Sequence, residues 1–220
     1  MKGYFVTGTD TGVGKTRVAV SLVHALRAQG LRVAVMKPVS AGCEPGELNE
    51  DVTALWAASN VDADLADINP YAFAQPIAPH IAADLAGSRI ELSLIAGAYH
   101  RLAAQSDAVV VEGAGGWRVP LNEREDMADL AHLLGLPVVL VVGLRLGCLN
   151  HAVLSAESIQ SRGLPWAGWV GNHIDPDMHQ QAANLHALQT RLPTPCLGVQ
   201  PHAPNAITSP GKPQWLVLPA

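Results

Sequence analysis

Val6-Thr-Gly-Thr-Asp-Thr-Gly-Val-Gly-Lys-Thr16 decides how the rest of the chain is read. It follows the apolar run Tyr4-Phe5-Val6 and leads into Arg17-Val-Ala-Val-Ser-Leu-Val-His-Ala-Leu26, so a strand enters a glycine-rich turn and a helix leaves it. That is the context of a phosphate-binding loop. Glycines let backbone N–H groups converge on an anion, and the positive end of the helix points at the same place. Lys15 is placed to reach the outer phosphates of a nucleotide, and the Thr16 hydroxyl to ligand Mg²⁺. The loop departs from the strict consensus, because the first consensus glycine falls on Thr9 and Gly8 lies one residue early. ATPases that switch state by dimerising carry a second lysine early in such loops; here that position is Asp10.

Outward from the loop, apolar strands alternate with helices. Helical spacing of Val18, Leu22, Val23 and Leu26 ends at Gly30. Leu31–Lys37 reads as a strand stopped by Pro38, and 39–46 as loop. Asn49 is a cap for a helix from Glu50 through Trp56. The stretch 62–79 is irregular, with Pro70, Pro76 and Pro79 as breakers. Helices follow over Leu92–Leu102, Asp126–Leu134, Leu149–Ser161 and Met178–Arg191. Strands follow over Asp107–Glu112, Val138–Val142, Trp166–Val170 and Leu197–Val199, with a possible last one at Trp215–Leu218. Strands that are apolar throughout imply a mainly parallel sheet with helices on both faces. The expected fold is therefore a three-layer α/β domain of the P-loop NTPase-like kind, one domain over residues 1–220.

Composition narrows the function classes. A net charge of −5 and the lack of any Lys/Arg run disfavour nucleic acid as partner. Cys43, Cys148 and Cys196 form no Cys-x-x-Cys pair and read as small apolar fillers in a reducing compartment. The longest apolar run, Leu136–Val142, is far too short to span a bilayer, and no leader is evident, so a cytoplasmic protein with no membrane partner is expected. The nine histidines include no metal-spaced helical pair, and no Gly-x-Ser-x-Gly elbow occurs.

In open parallel sheets ligands gather beyond the carboxyl ends of the strands. That rule selects Thr7, Lys37, Glu112, Gly143 and Asn172. Glu112, opening Val-Glu-Gly-Ala-Gly-Gly116, can hold Mg²⁺ beside the phosphate loop, and its glycines allow close approach of a ligand. Asp51, or Glu50 beside it, is a candidate second metal acid. Lys37 falls beside Lys15, and two ammonium groups in one pocket suit a reaction that builds negative charge on transferring phosphoryl oxygens. Gly147 and Asn150 suit a helix start with free N–H groups, where a carboxylate can bind.

Together these stretches resemble the dethiobiotin synthetase family of P-loop proteins. The matching pieces are 4–11, Val-Gly-Lys-Thr at 13–16, Lys-Pro-Val at 37–39, Asn-Pro-Tyr at 69–71 and Pro-His-Ile at 79–81. Val-Glu-Gly-Ala-Gly-Gly-Trp at 111–117, Leu-Gly-Cys-Leu-Asn-His-Ala at 146–152 and Ala-Gly-Trp-Val at 167–170 complete the set, in family order. The resemblance implies an ATP- and Mg²⁺-dependent ring closure of 7,8-diaminononanoate with CO₂. An amine becomes a carbamate, ATP phosphorylates it, and the second amine closes a cyclic urea, with release of ADP and phosphate.

It further implies roles for residues. Lys37, aided by Lys15, holds the carbamate and the γ-phosphoryl oxygens; Thr16, Asp51 and Glu112 hold the metal. Gly12, Val13, Gly14, Lys15, Thr16 and Arg17 cradle ATP, with Glu112, Gly113, Ala114 and Gly115 flanking it. Asn172 and His173 read adenine, and Pro201, His202 and Ala203 wall it. Thr11 lies near the diamine. Gly147, Cys148, Leu149 and Asn150 take the substrate carboxylate from across a homodimer interface. Two positions depart from the family pattern: Gly12 stands where an acid is common, and Ala41 where a hydroxyl is usual, leaving Ser40 as the nearby hydroxyl. Rival readings are a partitioning-type ATPase switch, which wants the early lysine, and an amidating synthetase, which wants a glutamine-hydrolysing domain as well.

Overall fold

The computed structural model describes residues 2–43, 46–202 and 213–219. β1 (Lys2–Gly8) runs through the phosphate loop into α1 (Lys15–Arg27), which begins two residues before Arg17, where the sequence reading starts it. β2 (Val33–Met36), β5 (Ala108–Glu112), β6 (Val138–Leu144), β7 (Trp166–His173) and β8 (Cys196–Gln200) complete a six-stranded sheet, in the order β2-β5-β1-β6-β7-β8 with every pairing parallel. All residues of β5 and β6 are buried, as expected for strands covered on both faces.

α1 packs on β1, β2 and β5 and against α2 (Glu50–Ala58). α5 (Leu92–Ala104) also packs on β2 and β5, but against α3 (Leu65–Ile68) and α6 (Met127–Leu134). Two helices on the same strands with different neighbours lie on opposite faces. α7 (Cys148–Ser161) packs on β6 and against α8 (Gln181–Arg191). Register brings the chemistry together: Val6 lies opposite Glu112, so the strand that feeds the loop runs beside the strand that ends in the acid.

The main departures from the sequence reading fall between 39 and 85. The expected loop at 39–46 contains β3 (Val39–Ala41), which pairs in parallel with β4 (Tyr71–Phe73) in a separate two-stranded sheet. The stretch read as irregular also holds α3 and the start of α4 (Pro79–Leu85). Pro79 opens that helix, because the first turn needs no N–H from it. The last expected strand, Trp215–Leu218, is reduced to one antiparallel bridge between Gly198 and Leu216. α8 starts at Gln181 and not at Met178, since a turn occupies the residues before it. Among the described residues no helix is long and apolar enough to cross a membrane.

Candidate functional site

A cleft of about 510 Å³ opens beyond the carboxyl ends of β1, β2 and β5. Its floor is the phosphate loop and the acid of β5; Lys37, one residue past β2, enters from the side. Its outer wall is Val39, Ser40 and Ala41 of β3 with Pro76, Ile77, Ala78 and Pro79. Gly14, at φ 88°, sits where only glycine turns comfortably, and a Cβ built there would run into the Asn172 amide nitrogen. That amide donates to the Val13 carbonyl at 2.8 Å, so a buried side chain of β7 props the loop from beneath.

Four side chains meet at the head of the loop. The Lys37 ammonium donates to Asp51 Oδ2 at 2.7 Å and to Glu112 Oε1 at 2.6 Å. Thr16 Oγ1 lies 2.5 Å from Asp51 Oδ1 and 2.9 Å from Glu112 Oε1. The Glu112 side chain is fully enclosed and that of Lys37 is 5% exposed, whereas Asp51 is 40% exposed toward the cleft. Burial disfavours the charge on Lys37, but the Glu112 and Asp51 carboxylates outweigh it and hold Lys37 above the ordinary lysine range. Asp51 is desolvated too, yet the Lys37 ammonium and the Thr16 hydroxyl hold it below the usual carboxylate range.

Lys15 is in the opposite condition. Burial and the nearby Lys37 charge bring it down to about 8, against the pull of Glu112, Asp51 and Asp10. Its ammonium donates to the Asp10 carbonyl at 2.9 Å, folded back along its own loop. The Asp10 carboxylate pairs with Arg145 at 2.5 Å and accepts the Thr11 N–H at 2.8 Å. The position of the switch-type lysine is thus an acid tied to a guanidinium.

The oxygens of Thr16, Asp51 and Glu112 fit a magnesium ion. They are hard donors, and Glu112 Oε2 is buried without a hydrogen-bond partner. Among the described residues no group of three or more His, Cys, Asp or Glu forms a cage. Two carboxylates and a hydroxyl suit an ion that takes its remaining ligands from water and phosphate.

The expected residues sort as follows. Thr11, Gly12, Gly14, Lys15, Thr16, Lys37, Ala41, Asp51, Glu112, Ala114 and Gly115 line the cleft. Of the two candidate acids, Asp51 lies in the cleft against Thr16 and Glu50 is exposed and outside it. Val13 is a core residue under the loop, and Gly113 packs on Phe5 and Met127. Arg17 turns toward the end of β8, where the Gln200 amide, with its oxygen toward the guanidinium, accepts Nε and Nη2 at 2.9 and 3.0 Å. Asn172 and His173 end β7 outside the cleft; His202 Nδ1 donates to the His173 carbonyl, and Pro201 and His202 are exposed. Ala203 lies outside the described residues. Gly147, at φ 94°, caps α7; Cys148 is buried, Leu149 half-buried and Asn150 exposed, and none of the four lines the cleft of their own chain.

Sequence reasoning took Asn49 only as a cap and Pro76 only as a breaker, and passed over Ile77, Ala78 and Val119 altogether. Asn49 accepts the Asp51 N–H at 3.0 Å and donates to the Ala41 carbonyl at 3.1 Å, which orients α2 toward the cleft. Nothing at 76–78 signals a wall, because its role comes from β3 and β4 folding across the cleft.

Comparison with known proteins accords with this geometry. Residues 2–208 match a family described as an AAA domain. A protein of Nitrosospira multiformis named ATP-dependent dethiobiotin synthetase is 55% identical over 93% of this chain and 90% of its own length. Proteins with the same name from Pseudomonas aeruginosa PAO1 and Xanthomonas oryzae are 51% and 48% identical, covering 94% and 98% of this chain and 92% and 97% of their own. Among solved structures, the MinC:MinD cell division complex of Aquifex aeolicus aligns with TM-score 0.61 at 16% identity, over 93% of this chain and 83% of that one. MinD of Pyrococcus horikoshii with Mg-ADP aligns at 0.55 and 19%, over 92% and 82%. The structural likeness shows a shared P-loop fold, and the sequence likeness shows kinship over at least 90% of each chain. On both the cleft and the sequence, the chain belongs to the ATP-dependent dethiobiotin synthetase family.

Proposed function

We propose that this protein closes the ureido ring of dethiobiotin from 7,8-diaminononanoate, CO₂ and ATP. The observation that carries the reading is the Lys37 ammonium, buried between Asp51 and Glu112 at the head of the phosphate loop. One substrate amine adds to CO₂ and loses a proton, giving a carbamate. A carbamate oxygen attacks the γ-phosphorus as the bond to ADP breaks. The second amine then attacks the carbamate carbon, phosphate leaves, and the ring nitrogen sheds its proton.

The chain's own groups serve these steps through charge and position. Backbone N–H groups from Gly12 to Thr16 cradle the phosphates, and Lys15 leaves the Asp10 carbonyl to meet them. Lys37 sits where negative charge collects on the transferring oxygens, a preorganised cation in a largely dry site. Thr16, Asp51 and Glu112 would hold Mg²⁺, which neutralises phosphate charge when bound. Thr11 and the wall at Ala41 face the diamine, Asn172, His173, Pro201 and His202 the adenine. At the α7 start the Cys148 N–H is taken by the Arg145 carbonyl at 3.0 Å, and the remaining N–H groups of Gly147–Asn150 would meet a substrate carboxylate held by the other subunit of a homodimer.

The test is product identification. Diamine, labelled bicarbonate and ATP should yield one cyclic urea carrying one label by mass spectrometry, with phosphate released only when both co-substrates are present. Steady ATP hydrolysis without the diamine would overturn the reading in favour of a nucleotide switch.

A further inference from the structure

We propose that Asn69 is a positioning residue for the reaction, fixing the main chain at Lys37 so that its ammonium group stays at the head of the phosphate loop. The proposal rests on the role given to Lys37 above.

β2 ends at Met36, and Pro38 has no N–H and forces the residue before it into an extended conformation. Lys37 therefore leaves the main sheet with both backbone polar groups in need of partners. Its N–H donates to the Ile68 carbonyl at 2.7 Å. Its carbonyl accepts Asn69 Nδ2 at 2.6 Å. The same amide nitrogen donates to the Tyr71 carbonyl at 3.1 Å, and Asn69 Oδ1 accepts the Ser40 hydroxyl at 2.9 Å. Asn69 is itself buried, and its own N–H closes the end of α3 on the Leu65 carbonyl at 2.7 Å. One side chain thus ties the exit of β2, the first rungs of β3 and β4, and the cleft wall at Ser40.

The phosphate loop and Glu112 do not depend on that knot. They hang on the ladders among β1, β5 and β6. Removing the Asn69 amide leaves the buried Lys37 carbonyl unpaired, takes one donor from the Tyr71 carbonyl, and frees the Lys37 main chain to move relative to a cradle that stays put. A misplacement of about 1 Å at a reacting centre is enough to cost about a hundredfold in rate. The signature of positioning is therefore lost turnover with ATP binding kept.

The experiment compares Asn69→Ala with the native protein and with Lys37→Ala, scoring turnover per nucleotide-binding site so that unfolded protein does not count. Asn69→Ala should lower kcat about 30- to 100-fold while the Kd for ATP stays within about threefold. If Lys37→Ala is crippled but Asn69→Ala turns over within about threefold of native, positioning by Asn69 is wrong and the role of Lys37 stands. If Lys37→Ala turns over normally, the reading of Lys37 itself fails. Should Asn69→Ala not fold, Asn69→Ser replaces it, a polar side chain too short to span both carbonyls. Failure of both variants to yield ATP-binding protein would assign Asn69 to the fold and overturn the proposal.

Discussion

Lys37 and Lys15 lie in one cleft with opposite electrostatics, and each carries its own prediction. Lys37 is charged and clamped by two carboxylates, so it contributes to a site already built rather than to gripping nucleotide. Lys37→Ala should lower kcat by about two to three orders of magnitude with little change in ATP affinity, read by stopped assays alongside equilibrium nucleotide titration. An equal loss in both would make it a binding residue. Lys15 is held down to about 8 by burial first and the neighbouring ammonium second. The penalty on its charged form is in force below pH 8 and fades as pH rises toward the ordinary lysine value, so in the free protein this group opposes the fold less at alkaline pH. Phosphates arriving beside it restore the ammonium. ATP binding slightly above pH 8 should accordingly take up protons, seen as a binding heat that changes with the ionisation enthalpy of the buffer; no buffer dependence would place Lys15 away from the phosphates.

At this scale the strand-end rule located Lys37 and Glu112 and the loop pattern located Lys15 and Thr16, because each is fixed by a single local feature. On the residues alone Asp51 keeps Glu50 as a competitor, and only the family resemblance singles it out, since the rotation of a helix about its axis is set by what caps it and packs on it. Asn69 was invisible in its role: one of its partners is a carbonyl 32 residues earlier in the chain.

Among the elements, α6 shows how sequence and fold agree. Asp126 caps it, accepting the Ala128 and Asp129 N–H groups at 2.8 and 3.1 Å, while Asp129 reaches back to the Asp126 N–H at 2.9 Å. Arg118 and Arg162 close on the same acids, tying the glycine segment after β5 to α6 and α7. Asp126→Ala should cost about 1–2 kcal/mol, measured as a lower urea midpoint at unchanged slope. A loss below about 0.5 kcal/mol would mean solvent satisfies the helix start equally well.

The long helices and the long apolar strands such as β5 and β6 were readable because their patterns repeat over several residues. β3, β4 and α3 are three or four residues long, too short for any period, and they exist because a buried asparagine and neighbouring segments hold them.

For the whole molecule, the parallel three-layer design followed from apolar strands alternating with helices, but the order of strands did not. Uniformly apolar strands do not say which neighbours which; register and helix packing do. The homodimer reading makes a prediction at this level. Lys37→Ala damages the cleft, whereas Gly147→Asp puts a carboxylate and a strained backbone where the other subunit's substrate carboxylate would dock. Each should be nearly inactive alone, and an exchanged mixture should recover about a quarter of native activity, since half the dimers are hybrids with one intact site of two. No recovery on mixing would mean each cleft works alone.

The outer wall of the cleft hangs from a ribbon of three residue pairs beside the main sheet. Local opening is cheapest where few contacts oppose it. The phosphate loop hangs on the ladders of the six-stranded sheet, whereas the wall proposed to face the diamine hangs on the two-stranded one. Evolution, or a protein engineer, can reshape what the enzyme accepts by editing that ribbon while the energy-coupling machinery stays as it is.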